Sequence, residues 1–315
     1  MTISFSGVTK TYGKKLVLDN VTDEVPDGSL TALLGPSGSG KSTLLKVIAG
    51  LETLDAGTVS LNGRDVTTLP ARFRNIGFCF QDYAPFNQLS VFENIAYGLR
   101  ARKLPKPTIK NKVDDLLSLV RLEDVASRYP RQLSGGQRQR MALARALAIE
   151  PEVLLLDEPF AALDAQVGGE LRQWVRSLQR ELGMTTILVT HNQSEAMEIA
   201  DRLVIFSDGR IQQVGTPSEV YDAPANDFVH NFLGPTTLHH GATVRPHQLT
   251  LVAEGSSRVT DITRLGFEVR VTVLHDDGTQ SWVQLTHDED QQLATAVGDR
   301  VGVIQREASL VSSIS

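Results

Sequence analysis

The sequence predicts an α/β fold with a mostly parallel sheet, followed by a small all-β domain. Three observations carry that prediction. A glycine-rich loop lies between an apolar strand and a helix near residues 30–50. Strand and helix patterns alternate from Val153 to Val214. Near Leu233 the pattern changes to short alternating apolar runs.

The elements follow in chain order. Ile3, Phe5 and Val8, then Leu16, Leu18, Val21 and Val25, predict short antiparallel strands with turns at Tyr12–Lys14 and Pro26–Gly28. Leu30–Leu34 reads as a strand running into Gly35, Pro36, Ser37, Gly38, Ser39, Gly40, Lys41, Ser42 and Thr43. The next helix carries Leu44, Leu45, Val47 and Ile48 and closes at Gly50. Residues from about 82 to 150 turn helical. Ile109, Val113, Leu116, Leu117 and Val120 share a face, with Pro105 and Pro107 in the loop before them. Leu133, Ser134, Gly135, Gly136 and Gln137 form a turn opening an Ala- and Arg-rich helix to Ile149, which Pro151 stops.

Val153–Leu156 is a buried strand, and Val167, Leu171, Trp174, Val175, Leu178 and Leu182 form a helix stripe. Thr185–Thr190 is a β-branched strand, Gln193–Ala200 a short helix, and Asp208-Gly209 the turn of a hairpin. Beyond residue 236, Leu249/Leu251, Phe267/Val269/Val271/Val273, Trp282/Leu285 and Val297/Val301/Val303 suggest strands, with a turn at Asp276–Gly278. The expected domains are 1–235 and 236–315, and His239-His240 reads as linker.

Composition narrows the function. A chain of 315 residues suggests about two domains, and 41% hydrophobic with 22% charged residues excludes disorder, collagen and coiled coil. No stretch approaches the roughly 18 apolar residues of a membrane span, and the first residues lack the pattern of a signal peptide. The single Cys79 excludes an internal disulfide and reads as a buried, inert thiol. These features point to the cytoplasm. A net charge of −6 excludes global steering towards nucleic acid or anionic lipid.

Gly35-x4-Gly40-Lys41-Ser42 is the P-loop pattern in its expected setting, after a strand and before a helix. Glycines let the backbone curl so that successive N–H groups face a phosphate, and the helix N-terminus adds positive potential. Lys41 can reach the outer phosphates, and the Ser42 hydroxyl can ligate Mg²⁺. The Val153–Leu156 strand delivers Asp157 and Glu158 to its C-terminal end, where ligands gather in open α/β sheets. Asp157 is placed to hold Mg²⁺, and Glu158 could act on an attacking water.

With these motifs in order, the chain resembles the ATP-binding subunits of ABC transporters over roughly its first 235 residues. The most specific element is Leu133-Ser134-Gly135-Gly136-Gln137, which looks like the ABC signature, although Ser134 also suits a plain helix cap. The resemblance implies a P-loop NTPase fold with an antiparallel β subdomain, a helical subdomain at about 82–150 and an OB-like C-terminal domain. It further implies that Tyr12 stacks on adenine, that Gln81 senses Mg²⁺ and the γ-phosphate, and that Asp164 belongs to the D-loop. His191 resembles the switch histidine. Ser134, Gly135, Gly136 and Gln137 would cover the nucleotide of a partner in a head-to-tail homodimer. Two membrane-spanning permease subunits would meet the segment Tyr83–Leu89, a solute-binding protein would act indirectly, and nucleic acid would not be a partner.

The segments Val244–His247 and Arg264–Val271, with Tyr83–Phe86 and Asp222–Asn226, are similar to those of the sulfate/thiosulfate importer subgroup. The expected function is therefore ATP hydrolysis with Mg²⁺ at the cytoplasmic face of a membrane, energising oxyanion uptake. The alternatives are another solute (molybdate, sugar, polyamine or iron) or a soluble ABC ATPase acting on DNA or ribosomes. Two features depart from the family: Asn192 follows His191 where Asp is usual, and Gly168-Gly169 sits early in a helix.

Overall fold

A computed structural model describes residues 1–161, 163 and 165–306. The chain divides into two compact units, Met1–Val229 and His230–Ser315.

In the first unit, β1 (Ile3–Tyr12), β2 (Lys15–Val25), β3 (Leu30–Leu34), β4 (Ala56–Leu61), β5 (Arg64–Asp65) and β6 (Ile76–Cys79) precede the helical region. After it come β7 (Val153–Asp157), β8 (Thr185–Thr190), β9 (Arg202–Ser207) and β10 (Arg210–Gly215). One sheet has the order β2-β1-β4-β5, all antiparallel. The other has the order β10-β9-β3-β8-β7-β6, parallel except for the edge strand β10. Every residue of β3, β7 and β8 is buried, as expected for strands covered on both faces.

Helix α1 (Lys41–Ala49) buries Leu44, Leu45 and Ile48 in a core with Phe5, Leu33, Val59, Leu155, Val189 and Phe206. Each such side chain contributes about 1.5–3 kcal/mol on burial. Gly50 ends α1 in the left-handed region, and the buried Arg74 guanidinium donates to Val47 O and Ile48 O at 2.8 Å, satisfying the last carbonyls.

The helical layer comprises α2 (Val91–Ala101), α3 (Lys106–Leu119) and α4 (Gly135–Leu147), packed through Ile95, Leu99, Val113, Leu117, Met141 and Ala144. Ser90 and Ser134 cap α2 and α4 with reciprocal capping boxes. Then α5 (Ala165–Leu182) and α6 (Gln193–Ile199) alternate with β8 and β9, and α7 (Pro217–Asp222) and α8 (Asp227–Phe232) follow.

The second unit holds the hairpin β11 (Thr237–His239)–β12 (Ala242–Val244) and a sheet of β13 (Leu249–Arg264), β14 (Val269–Leu274), β15 (Gln280–Leu285) and β16 (Arg300–Gln305). Its order is β15-β14-β13-β16, all antiparallel, forming a half-barrel of the OB-like kind. The hairpin joins β15 through Trp282 N–H to Thr237 Oγ1 at 2.8 Å and Ser281 Oγ–H to Leu238 O.

Several details differ from the sequence reading. Pro107 lies in the first turn of α3, where a missing N–H costs no helical bond. Helix α4 ends at Leu147, before Pro151 acts. Phe267 and Val297 are exposed in loops rather than in strands. His239 lies buried in β11, not in a linker. The strands β4 and β5 and the helices α7, α8 and α9 (His287–Leu293) carry too short a pattern to stand out.

Candidate active site

The parallel register puts the working loops at one edge of the sheet. Leu34 pairs with Thr190 and Asp157 with Val189, so the chain leaving β3, β7 and β8 emerges side by side, with β6 alongside β7. A cavity of about 560 Å³ opens there. It gathers Ser37, Gly38, Gly40, Lys41, Ser42 and Thr43 with Tyr12, Gln81 and Glu158.

Two glycines set the shape of the loop. A Cβ on Gly35 would stand 1.9 Å from the Phe206 carbonyl oxygen. Gly40 caps α1 at φ 109°, and its Cβ would meet Val17 O at 2.6 Å. Lys41 is buried, and its ammonium donates to Gly35 O at 2.8 Å and Pro36 O at 2.7 Å, which ties the curl together. Burial pulls its pKa below the usual lysine value, against the pull of Glu158 and Asp157.

Ser42 Oγ donates to Asp157 Oδ1 at 2.7 Å. Burial raises the Asp157 carboxyl above its usual range, with the Ser42 hydrogen bond opposing. Two hard oxygen donors in contact beside a phosphate-sized curl suit a small divalent cation.

Glu158 follows β7 at φ 46°, a conformation few glutamates adopt, held by its N–H to Val189 O at 2.9 Å. Its carboxylate sits between two groups. His191 Nδ1 lies 3.1 Å from Oε1, and Gln81 Nε2 donates to Oε2 at 3.1 Å. His191 is in turn set by the turn beneath it. Thr190 Oγ1 donates to the buried Glu195 at 2.7 Å and accepts from Asn192 N, while Asn192 caps α6 through Glu195 N. Asn192 therefore has a structural task at the position where the family usually carries Asp.

Tyr12 ends β1 with its ring exposed at the cavity's edge. Its hydroxyl donates to Glu52 at 2.7 Å, and the Lys10 ammonium lies 5.2 Å from the ring centroid. Cys79 is buried, and burial pushes its thiol up to about 12, outside any nucleophilic range at neutral pH.

The signature residues stand elsewhere. Ser134 Oγ accepts from Gln137 N at 3.2 Å, and Gln137 Oε1 accepts from Ser134 N at 3.0 Å, while Gly135 and Gly136 form the first turn of α4. None of the four lines the phosphate cavity of its own chain. Asp164 lies outside the described residues. Sequence reasoning missed Glu195, Glu52, Lys10 and the buried Arg74. Lys10 lies within β1 and Glu195 within α6, while Glu52 and Arg74 lie in connecting segments, where nothing local sets them apart from solvated charges.

The profile of the ABC transporter family matches residues 18–161, and that of the TOBE domain residues 242–311. The sulfate/thiosulfate import ATP-binding protein CysA of Mycobacterium tuberculosis (strain H37Rv) is 53% identical over 319 residues, covering 96% of this chain and 91% of that protein. The chain belongs to the ABC transporter ATP-binding family. This ABC ATPase is also 46% identical over 342 residues to the CysA protein of Synechocystis, covering 100% of this chain and 96% of that one. Among solved structures, a dimeric ATP-binding cassette bound to ADP and Pi superposes with a TM-score of 0.63. It is 32% identical and covers 68% of this chain and 98% of its own. Among the described residues, no helix of the ABC ATPase is long and apolar enough to cross a membrane.

Proposed function

We propose that the chain is the ATP-hydrolysing subunit of an importer for sulfate or thiosulfate, peripheral at the cytoplasmic face of a membrane. The observation that carries hydrolysis is the Glu158 carboxylate, held between His191 and Gln81 at the mouth of the phosphate loop. The solute follows from the names of the full-length relatives.

Lys41 and the loop N–H groups from Ser37 to Thr43 hold the β- and γ-phosphates, and Tyr12 offers a face to adenine. Ser42, Asp157 and Gln81 would hold Mg²⁺, which offsets charge on the phosphate oxygens. Glu158 accepts the proton of the attacking water, and His191 orients that carboxylate and hydrogen-bonds the γ-phosphate edge.

Ser134, Gly135, Gly136 and Gln137 do not line the phosphate cavity of their own chain, so the reading assigns them to the nucleotide of a second copy in a head-to-tail homodimer. Asp164 would carry signals across that dimer. The segment Tyr83–Leu89 would meet two permease subunits, which a solute-binding protein serves. Residues 1–235 form the ATP-binding domain and 236–315 a small β regulatory domain.

Uptake of labelled sulfate, thiosulfate, molybdate and maltose by a deletion strain carrying this gene tests the solute. Restored sulfate or thiosulfate uptake supports the reading; restoration of molybdate or maltose uptake alone overturns it. Glu158→Gln should lower turnover by about 10²–10⁴-fold, retain ATP and trap the dimer. Turnover equal to the unaltered chain would refute Glu158 as the base.

A further inference from the structure

The segment following Gln81 contains two successive non-glycine residues in the left-handed region, Tyr83 at φ 61° and Ala84 at φ 36°. Such a pair is unfavourable by itself and persists only where its surroundings hold it. The holding group is on another element. Arg145 of α4 donates from Nη1 to Ala84 O and from Nη2 to Tyr83 O, both at 2.6 Å. Its guanidinium also stands 5.3 Å from the Phe86 ring centroid. Two parallel bonds from one planar fork fix an orientation as well as a distance, which an ammonium cannot do.

A second grip comes from α2. Asn94, fully buried, accepts from Phe86 N at 2.9 Å and donates to Phe86 O at 3.1 Å and Leu89 O at 3.0 Å. The Tyr83 ring is buried, and its hydroxyl donates to Pro159 O, one residue past Glu158. The segment is thus clipped to the helical layer at both ends and touches the loop that bears the carboxylate.

Arg145 lies on the same helix that Ser134 caps, 11 residues along it, or about 16 Å of helix axis. We infer that Arg145 is a positioning residue for hydrolysis: its guanidinium locks the Gln81 segment to the signature helix. This rests on the proposed roles of Gln81 and Glu158 in hydrolysis.

A double-mutant cycle on the purified full-length ATPase tests it. Arg145→Met keeps side-chain bulk and removes the donors. It should lower kcat by about tenfold while KM and ATP affinity stay within about threefold, since Arg145 does not line the phosphate cavity. Arg145→Lys should recover part of kcat, and it carries the same kcat-against-KM test if the methionine variant fails to fold. On a Gln81→Ala background, Arg145→Met should cost less than about twofold more, because the clamp acts through Gln81. Unchanged kcat in both arginine variants overturns the inference. So does a loss that multiplies independently with that of Gln81→Ala, or a parallel fall of kcat, ATP affinity and thermal midpoint. If Gln81→Ala itself turns over normally, the assigned role of Gln81 has failed, and the inference fails with it for that separate reason.

Discussion

Two concave regions of the molecule are built on opposite plans. The phosphate loop is made of backbone: consecutive residues curl at the end of one strand, and side chains from neighbouring strands close around it. The cavity in the second unit, about 540 Å³, is assembled from distant segments: Gly241, Gly255 and Gly302 line it together with Ser257, His275 and Thr279. There His275 meets Ser257 Oγ at 2.8 Å and Ser281 Oγ at 2.6 Å, and Ser281 donates onward to Leu238 O. Burial holds the His239 imidazole below its usual pKa, with His240 and His275 nearby adding to the effect. A site built from consecutive residues has its glycines at fixed spacing and so leaves a motif. A site assembled from distant segments leaves single glycines, hydroxyls and rings scattered along the chain.

The sharpest way to break the comparison is Gly35→Ala. The added methyl would sit 1.9 Å from a backbone oxygen of β9, which has no free rotamer to move. We expect nucleotide affinity to fall by about a hundredfold or more, read by titration with a fluorescent ATP analogue. Affinity within threefold of the unaltered chain would show that the loop is not backbone-built.

This contrast explains what was legible in the sequence. The P-loop, the strand carrying Asp157 and Glu158, and the hairpin at Asp208-Gly209 each combine an apolar run with a turn or motif, and local pattern is enough. The Ser134 cap was equally visible, because a capping box is written in four adjacent residues. Glu195 and Arg145 were not visible. Each is polar on a helix, and only the contacts in the fold distinguish a buried or half-buried clamp from a solvated charge. The strand β5 has two residues and α7 six, too few for periodicity to register. His239 reads as linker because it has no Cys or carboxylate partners for a metal, whereas β11 pairs with β12 and docks on β15.

A second glycine separates the units. In the second unit, a Cβ on Gly302 would lie 2.5 Å from Glu254 O, where β13 shifts register against β16. Gly302→Ala should destabilise that unit by about 2–3 kcal/mol, seen as lost amide-exchange protection across β13 and β16, while nucleotide affinity stays unchanged. A fall in affinity matching that of Gly35→Ala would mean that the two sites are not independent.

The smallest expected effect concerns acid. In the second unit, Arg306 just past β16 donates to Glu289 at 2.6 Å and lowers that carboxyl to about 2, with the Thr286 cap of α9 contributing. In the unfolded chain the same group titrates near its ordinary value of 4.5. Between those values the unfolded chain binds the additional proton, so stability rises with pH across the window. The contribution is complete above about pH 5 and is lost as pH falls from there towards 2. The pair is partly open to water, which screens it, so the gain is about 1 kcal/mol rather than the full linkage value. Arg306→Met should reduce this acid dependence in the second unit's unfolding transition, leaving the part due to the Thr286 cap, and leave neutral-pH nucleotide binding untouched. An unchanged slope of stability against pH between 2 and 5 would show that Glu289 takes its low pKa from the Thr286 cap, not from Arg306.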